Sequence, residues 1–405
     1  VVSIVFACLW LVVFLALIPC FSIAQDFNNY QVLKSSGAVP EEFLILSSEK
    51  YKRDLEKISS EDRKIREAEG DFYLQSNFII DAFLLSGRVL FNDPLSTYVN
   101  DVADEVLKGD QQLRDELRFY VTRSSAVNAF ATDQGAIFIN MGLLAKLENE
   151  AQLAFVIAHE VVHYLKKHSI NRYVRVEGLS NDKALEDNYE ERLLETSAYS
   201  QEQELEADLQ GLKLFLGTQY DPAAAEEALL LLKTAELPYP QQVEFSPEYF
   251  DGIPFPQEYS LDSIVQIEEE DEEDLLYHTH PSIEKRITAL YDLMENETVQ
   301  SRAKFVISRD RFEQMRTTAA FETAHYLLMD RQYDKAFYLA RNLQEEFPES
   351  SFLKEVVAKS LYGMERYSLD HSLADVVNDY DESLQELQPQ NYFLRKLWSM
   401  ELSFL

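Results

Sequence analysis

The chain has two cysteines in 405 residues, Cys8 and Cys20, and both lie among its first 24 residues. Beyond that leader no disulfide can form, no thiolate can hold a metal and no cysteine can act as a nucleophile. Any bound metal must be held by His, Asp or Glu. Histidine is scarce too, with 7 in the whole chain. Positive charge is outnumbered: 37 Lys and Arg stand against 71 Asp and Glu, a formal net charge of −34. Such a surface repels nucleic-acid backbones and anionic lipid headgroups, so nucleic-acid binding is set aside. Otherwise the charge reads as a solvated acidic surface and says little about activity. After the leader no long uncharged apolar run occurs, so no later membrane span is expected.

The leader itself is apolar. Val1 to Ile18 carry no charge, Pro19 breaks the run, and Ser22-Ile23-Ala24 offers small residues at the two positions a signal peptidase reads. Residues 1–24 therefore read as a signal peptide, with an exported chain beginning at Gln25. An uncleaved N-terminal anchor is one alternative. A lipoprotein signal ending at Cys20 is another, and Pro19 counts against it.

Residues 25–84 read as a polar N-terminal helical segment, with helical spacing clearest from Glu61 to Leu85. Gly87 to Phe91 is a short extended piece, and Asn92-Asp93-Pro94 signals a turn and a helix start. A helix is predicted over Tyr98–Leu107, and strands over Leu117–Arg123 and Ala136–Asn140. Long helices are predicted from about Glu148 to His168 and from about Glu190 to Leu216. Leu237 to Thr279 is too long for a simple connection and includes an acidic run at 268–274. Helix resumes after Pro281. From Arg316 onward, Ala324, Leu327, Tyr333, Ala336, Ala340, Leu343 and Pro348 fit the spacing of a tetratricopeptide helix pair. A weaker second unit follows around Ala358, Leu361 and Tyr367. An ordinary helical hairpin packed on the preceding domain is the plainer alternative.

The chemistry lies in His159-Glu160-Val161-Val162-His163. Residues four apart share a helix face, so both imidazoles can converge on one ion. Glu160 is placed to act as general base toward a water in the open coordination position. Two His and a Glu on an apolar stripe are costly to bury unless they bind something. A catalytic zinc site needs a third protein ligand. The next acidic helix offers Glu202, Glu204, Glu206 and Asp208. Glu204 and Asp208 share a face, so one can bind the ion while the other accepts a hydrogen bond from a ligand imidazole. Composition does not choose between them.

Asn128-Ala129-Phe130, Gly142-Leu143-Leu144, Asn149-Glu150 with Leu153-Ala154, the His159–His163 motif and Glu204-Leu205-Glu206-Ala207-Asp208 occur in order across residues 85–295. Together they resemble the HtpX and CAAX-prenyl-peptidase family of zinc metallopeptidases. The resemblance implies a single zinc ion held by His159, His163 and Glu204, with Asp208 behind them. Glu202 and Glu206 are then expected to be solvated. The family's His-Pro pair followed by Arg is matched by His280-Pro281 and Arg286. The resemblance gives His280 a place at the active site, supporting the oxyanion or capping the zinc in a latent state. The expected fold is mainly α with a small β-sheet. It comprises a zincin-like metallopeptidase domain over 85–300 and a tetratricopeptide-like helical tail over 316–405. The leader, the tail and the lack of later spans make the chain most similar to the soluble periplasmic BepA-type members. An unfolded or extended polypeptide is the expected substrate. Ala136, Ile137, Phe138, Ile139 and Asn140 are expected to form the edge strand it adds to. The tail could bind a protein partner, and the alternative reading is a latent protease that acts mainly as a chaperone or scaffold through this tail.

Overall fold

A computed structural model describes residues 25–180, 189–235, 237–238, 245–246, 250, 253, 255–266, 281–294 and 302–399, with side chains of 176–198 and 398–399 excluded. Two helices come first, α1 (Ser47–Leu55) and α2 (Arg63–Leu84). Asp62 caps α2 by accepting from the amides of Lys64 and Ile65. The strand β1 (Val89–Leu90) leads into α3 (Pro94–Val106), which Asp93 caps and Pro94 opens. A short α4 (Gln111–Glu116) follows.

Three strands complete a sheet with β1: β2 (Arg118–Thr122), β3 (Ala129–Ala131) and β4 (Ala136–Asn140). Their spatial order is β1-β2-β4-β3. β2 and β4 run parallel, while β1 and β3 pair antiparallel on the outside. The β3–β4 hairpin turns at Gly135, whose φ of +85° suits glycine. A Cβ there would lie 2.5 Å from the Glu116 carbonyl oxygen.

This order corrects one expectation. Ala136–Asn140 is a strand, but it is internal, hydrogen-bonded on both sides and buried at every residue. The exposed edge belongs to β3. Both faces of β4 are covered: Phe138 packs with Tyr120 and Leu84 under α2, and Ile137 and Ile139 face the main core. A strand covered on both faces reads as an unbroken apolar run, which does not show whether it has a neighbour on each side.

After β4 come α5 (Met141–Lys146), α6 (Glu150–Leu165), α7 (His168–Ser180), α8 (Tyr189–Leu216) and α9 (Ala224–Leu230). Asn149 caps α6 through the Gln152 amide at 3.0 Å. α6 is buried on nearly all sides, as its largely apolar sequence requires. It ends because Lys167 adopts a left-handed φ of +53°. α10 (Ile283–Met294) is the helix expected after Pro281 and packs on α8 and α9.

The remaining helices are α11 (Arg309–Met329), α12 (Tyr333–Glu346), α13 (Ser351–Leu369) and α14 (Gln388–Ser399). α11, α12 and α13 pack in succession, and α11 also lies along α5 and α3. One continuous apolar core therefore joins the sheet, α6 and these helices. Glu150, fully buried at the start of α6, reinforces the join. Its carboxylate accepts from the amides of Val306 at 2.9 Å and Ile307 at 2.8 Å, and from the Tyr220 hydroxyl at 2.6 Å. The described parts of the long 237–279 stretch lean on the C-terminal helices. Phe245, Phe250, Phe255 and Tyr259 gather around Phe393 of α14. Among the described residues no helix is long and apolar enough to cross a membrane.

Candidate metal centre

α6 presents His159, Glu160 and His163 toward α8. The two helices approach closely because residue 211 is glycine: a Cβ there would lie 3.1 Å from the backbone nitrogen and Cα of His159. The two imidazole Nε2 atoms are 3.0 Å apart. Glu204 of α8 places one carboxylate oxygen 3.6 Å from His159 Nε2 and the other 3.5 Å from His163 Nε2. Ligand atoms at the usual zinc distance of about 2.1 Å stand roughly 3.4 Å from one another in a tetrahedron. The three residues thus have both the chemistry and the spacing to hold zinc.

The groups behind them are ordered. Asp208, fully buried, lies 3.0 Å from His159 Nδ1. Arg286 of α10 donates to both carboxylate oxygens of Asp208, through Nε at 2.6 Å and Nη2 at 2.7 Å. Its Nη2 also lies 3.7 Å from Glu204. Arg286 and Asp208 therefore stand together directly behind the cluster. On the other side, His163 Nδ1 is 2.9 Å from His168 Nδ1, and His168 Nε2 is 3.2 Å from Glu206. Glu206 is solvated, as expected, with its side chain 40% exposed, and it is also paired with His168 and Lys166.

The electrostatics are those of a cation site. Burial disfavours a charged His159, but hydrogen bonds to Asp208 and Glu204 and their charges outweigh it and raise its pKa to about 10. Burial and the neighbouring His159 push His163 down to about 3. Burial, reinforced by Glu204, pushes Glu160 up to about 7, against the opposing pull of His159, Arg286 and the Ala131 amide. Burial also works against a charged Asp208, yet its bonds to Arg286 and His159 keep it below the ordinary carboxylate value.

The cluster opens into a cleft of about 660 Å³. β3 forms one wall, through Ala129, Phe130 and Ala131, and Leu229, Leu232, Pro281 and Ile283 contribute apolar surface. Bonds at Asn128–Asn140 and Thr132–Ala136 fix the β3–β4 register, so Ala129 and Ala131 turn their backbone groups to the free edge. His280 lies outside the described residues, next to Pro281.

The profile of peptidase family M48 matches residues 79–185 and 191–294, more than half of the chain. The chain belongs to this family. Among individual relatives, the beta-barrel assembly-enhancing protease of Yersinia pestis is 30% identical over 102 residues, 25% of this chain and 20% of that protein. Its Escherichia coli K12 counterpart is 30% identical over 100 residues, 24% of this chain and 19% of that protein. The mitochondrial metalloendopeptidase OMA1 of Schizosaccharomyces pombe is 29% identical over 155 residues, 35% of this chain and 45% of that protein. The chain thus matches about a fifth of the length of the first two relatives and under half of the third.

Three features of the site escaped sequence reasoning. β3 is three residues long, too short for an alternation signal. His168 lies five positions after His163, off the helical stripe. Gly211 carried no signal, because the close approach it permits depends on which helix faces α6.

Proposed function

We propose that the chain is a zinc-dependent endopeptidase that cleaves extended segments of exported polypeptides. The observation that carries this reading is the convergence of His159, His163 and Glu204 beside Glu160, at the floor of a cleft walled by a free strand edge. A bound zinc ion would polarise the scissile carbonyl and make water acidic enough to deprotonate near neutral pH.

The chain's own residues do the rest. A substrate in extended form pairs with β3 through the outward backbone groups of Ala129 and Ala131, which selects for extended conformation rather than for particular side chains. Glu160 takes the proton of the attacking water and delivers it to the leaving amine. Asp208, 3.0 Å from His159 Nδ1, is placed to orient the ring so that Nε2 faces the ion, and Arg286 fixes Asp208. His280 precedes Pro281, a cleft residue, and is assigned to the oxyanion or to capping the ion.

Export is supported by the apolar leader and by the names of the bacterial relatives. The helices after Arg309 are assigned to partner binding, on the tetratricopeptide-like spacing of Ala324 to Pro348. Metal analysis of the purified protein, with digestion of casein and of a tightly folded control protein, tests the whole reading. It predicts one zinc per chain and cleavage of casein in preference to the folded control. Zinc-loaded protein that cuts neither would overturn it.

A further inference from the structure

Each ligand imidazole uses Nε2 toward the ion and keeps Nδ1 for an orienting partner. For His159 that partner is Asp208. The corresponding atom of His163 meets a second histidine. His163 Nδ1 lies 2.9 Å from Nδ1 of His168, and His168 Nε2 lies 3.2 Å from Glu206 Oε2. We propose that His168 and Glu206 are positioning residues that lock His163 in the tautomer that presents Nε2 to the metal.

Only one arrangement of protons satisfies these contacts. His163 must leave Nε2 free, so its proton sits on Nδ1 and is donated to His168. His168 accepts at Nδ1 and must therefore be neutral, with its own proton on Nε2. That proton is donated to the Glu206 carboxylate, which Lys166 also contacts. The relay parallels His159–Asp208–Arg286 but runs through an imidazole before it reaches a carboxylate.

The backbone is shaped for this contact. In an uninterrupted helix, residue 168 would point well away from residue 163. The left-handed turn at Lys167, φ +53°, breaks the helix and returns His168 toward it. A non-glycine residue in that conformation costs about 1 kcal/mol or more, which packing must offset. The turn is pinned from two sides. Gln203 of α8 donates to the His168 carbonyl at 3.0 Å, and Asp133 beside the β3–β4 turn accepts from the Ile170 amide at 3.1 Å. His168 itself is buried.

This inference rests on the zinc-site reading, and the experiment separates the two. Zinc affinity is measured by chelator competition on the full chain and its His168→Leu, His168→Asn and Glu206→Ala variants. Asparagine places an oxygen where Nδ1 stood and restores the acceptor. His168→Leu should weaken zinc binding about 10–100-fold, Glu206→Ala several-fold, and His168→Asn by no more than about threefold. Nitrogen NMR of the zinc-loaded wild type should show His163 protonated at Nδ1 and His168 at Nε2, a result that does not depend on any variant folding. A His168 protonated at Nδ1 would overturn the relay. So would a folded His168→Leu protein with wild-type zinc affinity, or equal losses in His168→Leu and His168→Asn. Wild-type protein that binds no zinc would refute the metal site itself.

Discussion

Gly211 of α8 lies against the backbone of His159 in α6, and a Cβ at that position would fall 3.1 Å from both its nitrogen and its Cα. The neighbour is helix backbone, which cannot yield as a flexible side chain can. Gly211→Ala gains about 1 kcal/mol in helix propensity. Overpacking costs about 1–3 kcal/mol, so a net loss is expected. The same displacement moves Glu204 relative to His159 and should weaken zinc binding. Denaturant melts and chelator competition measure both. A variant stabilised by about 1 kcal/mol with unchanged zinc affinity would show that the approach is not tight.

Asp208 and Arg286 are a buried ion pair, and breaking one side leaves the other charge unpaired. Arg286→Met should destabilise the metal-free protein by about 3–5 kcal/mol. Asp208→Ala should weaken zinc binding about 10–100-fold. The Asp208 pKa is lowered on folding, so its stabilising contribution is present above the unfolded carboxylate value and is lost as pH falls through the folded one. Acid unfolding of metal-free wild type should therefore steepen below about pH 4, and Asp208→Asn should lose that dependence.

Asp133 works with the opposite sign. Burial raises its pKa to about 6, opposed by the Ile170 amide and the Lys167 charge. The folded state then binds the proton more tightly than the unfolded chain. Stability should fall as pH rises from about 4 to about 6 and stay level above that, an effect on the order of 3 kcal/mol. Asp133→Asn should flatten this stretch of the pH–stability curve. An unchanged slope in the variant would assign it to other groups.

Glu150 holds the start of α6 to the 306–308 segment that leads into α11. Removing the carboxylate strands three amides, those of Val306, Ile307 and Ser308, and two tyrosine hydroxyls, those of Tyr98 and Tyr220. Each unpaired buried donor costs about 1–3 kcal/mol, so Glu150→Ala should lose at least about 3 kcal/mol. Protease cutting near 302–308 should rise in parallel. A variant melting like wild type, with the segment still protected, would refute this role.

How much of this was legible in the sequence depended on how local each signal is. The helices α2, α6 and α8 follow from apolar spacing, and the expected limits are within about three residues of those seen. His159, Glu160 and His163 share one helix and needed no tertiary information. Glu204 could not be separated from its acidic neighbours by composition; the family motif selected it, and the structure brings its carboxylate to 3.5–3.6 Å from the two imidazoles. The sheet was harder. β4 could be recognised as a strand, but its two neighbours come from residues 118–122 and 129–131, so its internal place is a non-local fact. His168 was hidden for a related reason. Its approach to His163 depends on one left-handed residue, Lys167, in a lysine pair that looks like ordinary helix. The aromatics of the 237–279 stretch carried no pattern because their partner, Phe393, lies more than 100 residues away.

The central claim is that Glu160 moves the proton at a zinc site built from His159, His163 and Glu204. Glu160→Gln keeps the side chain's shape and leaves every proposed ligand in place. Zinc content and casein cleavage measured on the same preparation, beside wild type, test it most directly. The account predicts one zinc per chain in both proteins and at least about a thousandfold less cleavage by the variant. A zinc-loaded Glu160→Gln protein that cleaves casein at the wild-type rate would contradict it.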